Sequence, residues 1–134
     1  ARFPTGFDAG PGGAGRADGD ADMAAPAGRF VIARIGARPV GCGGLVVRTP
    51  DAGPDFAEIK RMWVDRSLRG VGIGFRILDA LEGTAREMGQ DMIRLDSNRT
   101  LTEAHALYRR CGYTEIPRYN DNTYAHFWFE KRLG

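Results

Sequence analysis

The residues best placed to do chemistry are six in a row, Arg69-Gly70-Val71-Gly72-Ile73-Gly74. They stand between a β-rich run and an amphipathic repeat, so they open a predicted helix. There, backbone N–H groups without intrahelical partners and the positive end of the helix dipole attract a phosphate, and glycine lets such a ligand come close to the backbone. Two common phosphate turns do not fit. A dinucleotide fingerprint that begins at Gly70 and Gly72 needs glycine at position 75, which is Phe75, and no Gly-Lys-Ser/Thr follows as a P-loop requires. On the glycines alone, a ligand cradle and a merely tight strand-to-helix turn both stay open.

The other reactive residue types narrow the chemistry. Cys42 and Cys111 lie far apart with no Cys-x-x-Cys or Cys/His pairing around them, which favours two reduced, packed thiols over a zinc or redox site. No metal is expected. His105 and His126 have no partner in sequence and read as surface or packing residues. The formal charge of +2 comes from interspersed Lys, Arg, Asp and Glu rather than a basic block, which gives no reason to expect a nucleic-acid stripe or a polybasic membrane patch. No apolar run is long enough to span a bilayer, and the first residues lack the layout of a secretion signal. With reduced thiols, that predicts a cytoplasmic protein. The chain starts with Ala1 rather than Met, as a processed, trimmed or incompletely covered product would.

At 134 residues the chain has room for one domain, whose folding removes roughly two-thirds of its extended surface from water. Residues 1–28 hold seven glycines among Ala, Asp and Pro without a sustained period and read as loop, so the folded domain is expected over 29–134. Arg29–Ile35 and Val40–Val47 read as strands joined across Gly36-Ala37-Arg38-Pro39, and Ala57–Val64 as a further strand. Ile73, Ile77, Leu78, Leu81, Ala85 and Met88 recur at three- and four-residue spacing, one face of a helix that closes near Gly89. Met92–Leu95 is a short buried strand. Thr100-Leu101-Thr102-Glu103 matches a capping box and begins a second helix with Leu101, Ala104, Leu107, Tyr108 and Cys111 on its apolar stripe, stopped by Gly112. Ala125–Lys131 is a final aromatic strand. The order ββ-β-α-β-α-β, with room for one further strand at the end, predicts an α/β chain, a mixed sheet with helices packed on it.

In this setting Arg69-x-x-Gly72-x-Gly74, preceded by Ala57–Val64, resembles the Arg/Gln-x-x-Gly-x-Gly/Ala motif of the GNAT N-acetyltransferase superfamily. Leu95-Asp96-Ser97-Asn98, Ala106-Leu107-Tyr108 and Cys111-Gly112-Tyr113 resemble that family's next strand, its tyrosine helix and its glycine-aromatic exit. The match runs from about Arg29 to the C-terminus. The resemblance implies a mostly antiparallel central sheet with helices on both faces and acetyl-CoA as co-substrate. The pyrophosphate would rest on the amides of Arg69, Gly70, Val71, Gly72, Ile73 and Gly74, and the pantetheine arm along Met62, Trp63 and Val64, with Asn98 touching it. Arg66 and Arg69 would add charge-assisted phosphate contacts. Asn98 reads equally well as a turn former.

Moving an acetyl group from a thioester to an amine requires a neutral amine, a stabilised oxyanion and a proton for the departing thiolate. The resemblance assigns Glu58 as the base, directly or through water, and Tyr108 as the proton donor, with a backbone N–H of Met62–Val64 for the oxyanion. Read without it, Glu58 and Lys60 are a solvated charge pair on one strand face, and Tyr108 is a core aromatic. Tyr119-Asn120-Asp121-Asn122-Thr123-Tyr124 is a polar, aromatic wall for the acceptor, or an ordinary turn. A complete relative begins with a strand and helices that form the acceptor pocket, and here only 28 glycine-rich residues stand in their place. Those elements lie upstream, or Phe3, Phe7 and Asp8 line the pocket, or a partner subunit in a homodimer completes it.

The leading expectation is an N-acetyltransferase for a primary amine of a small molecule or peptide. A non-catalytic acyl-CoA-binding module of a longer regulator, and an association domain using its aromatic last strand, are the alternatives.

Overall fold

The computed structural model describes residues 7–10, 28–68 and 72–134. The strands are β1 (Phe7–Gly10), β2 (Gly28–Ile35), β3 (Arg38–Arg48), β4 (Phe56–Val64), β5 (Met92–Ser97), β6 (Thr114–Ile116) and β7 (Phe127–Arg132). Among the described residues two α-helices join them, α1 (Ile73–Glu87) between β4 and β5 and α2 (Thr102–Arg110) between β5 and β6, with a single 3-10 turn at Arg66–Leu68 ahead of α1. The seven strands form one sheet in the order β1-β2-β3-β4-β5-β7-β6. All neighbours are antiparallel except β4 and β5, which run parallel with α1 as their crossover.

The elements follow from local chemistry. β2 and β3 meet at Ile35↔Arg38 through a turn in which Gly36 takes a left-handed φ of 61°. Both helices end on a glycine with positive φ, Gly89 at 80° and Gly112 at 92°. The next amides, of Gln90 and Tyr113, close back onto the carbonyls of Ala85 and Tyr108 at 2.9 and 3.0 Å. The helix stops expected from Gly89 and Gly112 therefore stand. The capping box at α2 does not form. Leu101 occupies the cap without a side-chain bond, and the Thr100 hydroxyl donates instead to Asn98 Oδ1 at 2.9 Å. An Asx turn at Asn98 has captured the threonine that would otherwise have capped the helix.

Residues 7–10, read from sequence as loop, pair with β2 from Phe7↔Ala33 to Gly10↔Phe30. Glycines crowd the segment and leave too short an apolar alternation to register as a strand. Strand order places β1 three positions from β4, about 14 Å away. Phe3 and residues 11–27 lie outside the described residues.

The core lies on one face of the sheet. Leu45, Ile59, Leu95 and Phe129 stand side by side across four strands and are buried under Ile73, Ile77 and Leu81 of α1 and Tyr108 of α2. A Cβ on Gly41 or Gly43 would fall within 2.8–2.9 Å of Ile77 or Leu81, so these two glycines are what lets α1 approach β3. Helices were expected on both faces; the two described helices share this one. The opposite face carries Glu58, Lys60 and Asp96 and is met by the segment after β6. β7 is bonded on both sides, to β5 and to β6. The aromatic last strand is thus interior to the sheet, which removes the edge an association domain would have used.

Candidate active site

β4 and β5 pair at only three positions, Ala57↔Ile93, Glu58↔Arg94 and Ile59↔Leu95, and then part. The cause is in β4. Between the pairs Gly44↔Lys60 and Cys42↔Trp63, β3 advances two residues while β4 advances three, a bulge in which Arg61 adopts φ 55°. A non-glycine residue in that conformation costs about 1–2 kcal/mol, and β3 holds it, with Cys42 Sγ donating to the Arg61 carbonyl at 3.4 Å. The bulge turns Met62–Val64 away from β5, which stays bonded to β7 along its full length. Among the described strands, the edge of β4 facing β5 is thereby left without a partner beyond Ile59.

The wedge between the strands is a cavity of about 470 Å³ that passes through the sheet. Toward the helices it is lined by Met62, Leu101 and Tyr108, and toward the other face by Arg48, Lys60, Asp96, Asn122 and Tyr124. Its two ends differ in chemistry. On the helix side, α1 begins beside the wedge: Gly74 lies so close to Leu107, Val64 and Met62 that a Cβ there would fall 2.7 Å from Leu107 Cδ2. The first bond of α1 runs from Arg76 N to Gly72 O at 3.1 Å, so the amides of Ile73, Gly74 and Phe75 precede the intrahelical ladder. The glycines divide their labour. Gly72 supplies a left-handed φ of 88° with open space where its side chain would be, and Gly74 supplies close packing. Arg69, Gly70 and Val71 lie outside the described residues.

Tyr108 is buried at 5% exposure, against the Phe129 and Tyr113 rings at 5.6 and 5.9 Å. Its hydroxyl faces the cavity with Met62 Sδ, a weak acceptor, at 3.9 Å. Burial, and then the charge of Asp96, push its pKa up to about 12. The phenol keeps its proton at neutral pH.

Glu58 is no solvated charge pair, being 2% exposed. Arg48 Nε donates to Oε1 at 2.9 Å, with Lys60 Nζ at 3.6 Å from the same oxygen. Oε2 accepts from the Tyr119 hydroxyl at 2.6 Å and Asn120 Nδ2 at 3.2 Å. Burial works to raise its pKa, but the Tyr119 hydrogen bond and the neighbouring Lys60 and Arg48 charges together outweigh it and hold the carboxyl below its ordinary value. Burial and the adjacent Glu58 carboxylate drive the Tyr119 phenol far upward. Asn98 lines the cavity, yet its side chain is engaged at both ends, accepting from Thr100 N at 2.9 Å and donating to the Tyr124 carbonyl at 2.9 Å.

Both histidines have partners. His105 is buried against Phe127 and Phe129 with Nε2 2.9 Å from Ser97 Oγ, and burial, with Arg109 nearby, lowers its pKa. His126 Nδ1 accepts from Arg99 N at 3.1 Å. The sequence reading named the polar segment 119–124 but not its contacts, and Asp96 only as part of a strand motif. Asp96 accepts from Asn120 Nδ2 at 2.6 Å and Asn122 Nδ2 at 3.0 Å. Their density of Asn, Asp and Tyr is the only signal the sequence offered. Cys42 and Cys111 form no disulfide among the described residues. Among the described residues, no helix is long and apolar enough to cross a membrane.

With the sheet split beside a helix start and a buried tyrosine against the split, comparison with known proteins identifies the family. Residues 7–113 match the model of the acetyltransferase (GNAT) family, and the chain belongs to that family. It is 34% identical over 93 residues to an IAA acetyltransferase of Azospirillum brasilense, covering 69% of this chain and 59% of that protein. The chain therefore spans little more than half the length of that relative. An acetyltransferase of the GNAT family from Staphylococcus aureus superposes with a TM-score of 0.68 at 25% identity, over 81% of this chain and 69% of that one. The PaiA N-acetyltransferase of Thermoplasma acidophilum, solved with coenzyme A, shares the fold at a TM-score of 0.64 and 19% identity, over 77% and 59% of the two chains.

Proposed function

We propose that this chain transfers the acetyl group of acetyl-CoA directly to a primary amine of a small molecule or peptide. The observation that carries the reading is the parting of β4 from β5 after Ile59↔Leu95, which opens a cavity through the sheet beside the first amides of α1. The pyrophosphate would rest on the amides of Gly72, Ile73 and Gly74 together with Arg69, Gly70 and Val71. The pantetheine arm would pair with the open edge of Met62, Trp63 and Val64, where one backbone N–H meets the oxyanion of the tetrahedral intermediate. The acceptor would enter from the opposite face, at the polar end.

Tyr108 is suited to assist thiolate departure by donating a hydrogen bond rather than by handing over its proton outright. A phenol with a pKa of about 12 is a weaker acid than a thiol near ~8.5, so complete transfer runs uphill. Glu58 and its neighbour Asp96 supply the negative charge at the acceptor end, and the amine must lose its proton there. Asn98 sets the rim of the cavity through its turn.

Calorimetric titration with acetyl-CoA tests the cofactor site. Wild type should bind in the micromolar range. Gly72→Glu, which puts a carboxylate where phosphate belongs, should abolish binding, while Gly72→Asn, which tolerates the left-handed backbone, should largely keep it. Absence of binding by folded wild type overturns the reading. Binding without thiol release across a panel of amines would instead support a non-catalytic acyl-CoA module.

A further inference from the structure

Two carboxylates stand at the acceptor end of the cavity, and their surroundings assign them different work. Each carboxylate has about four lone-pair sites. Glu58 accepts three hydrogen bonds, from Arg48 on one oxygen and from Tyr119 and Asn120 on the other, and Lys60 Nζ lies 3.6 Å from the first oxygen. Its side chain is not among the groups lining the cavity. Asp96 does line it, with a side chain 11% exposed. Oδ1 accepts one hydrogen bond from Asn122, and Oδ2 accepts one from Asn120, with Lys60 Nζ at 3.9 Å. That leaves acceptor capacity on the carboxylate that faces the cleft.

Asn120 couples the pair. Its Nδ2 donates to both Glu58 and Asp96, while its Oδ1 accepts from Trp128 Nε1 at 2.9 Å, which fixes the orientation of the carboxamide. Asp96 also comes close enough to Tyr108 for its charge to raise the phenol's pKa. Base and thiolate-side donor therefore face the same cavity from the two faces of the sheet.

We propose that Asp96 is the residue that meets the acceptor amine and takes its proton, and that Glu58 is a positioning residue that holds Lys60, Asn120 and Tyr119 around it. The inference rests on the transferase reading above. In the step, an N–H proton of the acceptor ammonium passes to an Asp96 oxygen, directly or through one water. The freed nitrogen lone pair attacks the thioester carbonyl carbon, forming the C–N bond. The C–S bond then breaks with its electron pair leaving on sulfur, assisted by the Tyr108 hydroxyl. The second proton shed by nitrogen ends on the thiolate, so acetyl-CoA and ammonium give amide, free thiol and one released proton. Lys60 beside Asp96 disfavours a second cation there, which helps an incoming ammonium become neutral.

The test compares two kinds of acceptor at pH 7 on the full chain: n-butylamine and phenethylamine, which are protonated, and hydroxylamine, which is already neutral. Asp96→Asn should lower kcat with the alkylamine that wild type turns over by about 100-fold or more, leave acetyl-CoA affinity within twofold, and keep most of the hydroxylamine rate. Glu58→Gln should lower both rates together, as displacement of the surrounding groups would. Equal loss on both acceptors in Asp96→Asn, or alkylamine turnover within threefold of wild type, overturns the assignment while leaving the transferase standing. Wild type that binds acetyl-CoA but acetylates none of the three acceptors overturns the transferase reading, and the Asp96 assignment with it.

Discussion

At the scale of single residues, the site places two buried, protonatable groups in opposite states. Tyr108 is surrounded by rings and a thioether and stays neutral, and Glu58 is surrounded by donors and stays ionised. Tyr108→Phe removes only the hydroxyl, whose one hydrogen bond among the described residues is the weak one to Met62 Sδ at 3.9 Å. Stability should change by less than about 1 kcal/mol, acetyl-CoA affinity should hold within twofold, and steady-state turnover should drop at least 10-fold. Unchanged turnover would remove Tyr108 from the mechanism. Glu58→Gln should be destabilising by about 2 kcal/mol, because hydrogen bonds to a charged group are the stronger kind and Arg48 loses its ion pair. The pH dependence follows in sign. The folded-state pKa of Glu58 lies below 4.5, so its stabilising contribution is complete above that value and is lost as pH falls through the lower folded pKa. Denaturant midpoints of wild type should therefore fall more steeply below about pH 4.5 than those of Glu58→Gln, and parallel curves would show that the carboxylate is not held ionised.

At the scale of elements, the cleft depends on how closely α1 lies on β3 and β4. A Cβ on Gly43 would meet only side-chain ends, Leu81 Cδ1 at 2.9 Å and Ile77 Cγ2 at 3.1 Å, whereas one on Gly41 would also meet the Trp63 carbonyl oxygen at 2.9 Å. Side-chain ends can rotate; a backbone carbonyl in a sheet cannot. Gly41→Ala should thus cost more than Gly43→Ala, about 1–3 kcal/mol in chemical denaturation. By pushing the Met62–Val64 segment, it should also weaken acetyl-CoA binding, which Gly43→Ala should leave nearly intact. These elements show what the sequence could and could not convey. Ile73, Ile77, Leu81 and Ala85 carry a 3.6-residue period, and Gly89 and Gly112 stop their helices through their own backbone freedom, so α1 and α2 were legible from neighbouring residues. The bulge at Arg61 was not, because nothing about arginine announces a φ of 55°; the register of β3 against β4 imposes it. Nor was the capture of Thr100 by Asn98, since a capping box and an Asx turn draw on the same residue types. The ligands of Glu58 were hidden by distance, arriving from Tyr119 and Asn120 sixty-one and sixty-two residues later in the chain.

At the scale of the whole molecule, the last strand completes a site that the middle of the chain begins. β7 inserts between β5 and β6, pairing six residues with β5 from Met92↔Arg132 to Ser97↔Phe127. It leaves β5 no freedom to follow β4 when β4 turns away, so the cleft stays open because its far wall is anchored. Lys131 adds a tie to the helix layer through ion pairs of 3.0 and 3.2 Å with the buried Glu82 of α1, which also accepts from the Tyr113 hydroxyl. Phe129 is the centre of this arrangement. It is wholly buried, pairs with Leu95, and carries the rings of His105 and Tyr108 at 5.7 and 5.6 Å. Phe129→Ala should therefore cost about 3–5 kcal/mol, a large share of the roughly 5–15 kcal/mol that holds a domain together. The denaturant midpoint should fall with the slope unchanged. Because the lost ring also seats Tyr108, turnover should fall in the protein that remains folded at low temperature, whereas Phe129→Leu, which refills most of the volume, should recover both. If Phe129→Ala lost stability while the folded fraction kept full turnover, the position of Tyr108 would have to come from α2 and Tyr113 alone, and β7 would be a wall of the cleft without being a support of its chemistry.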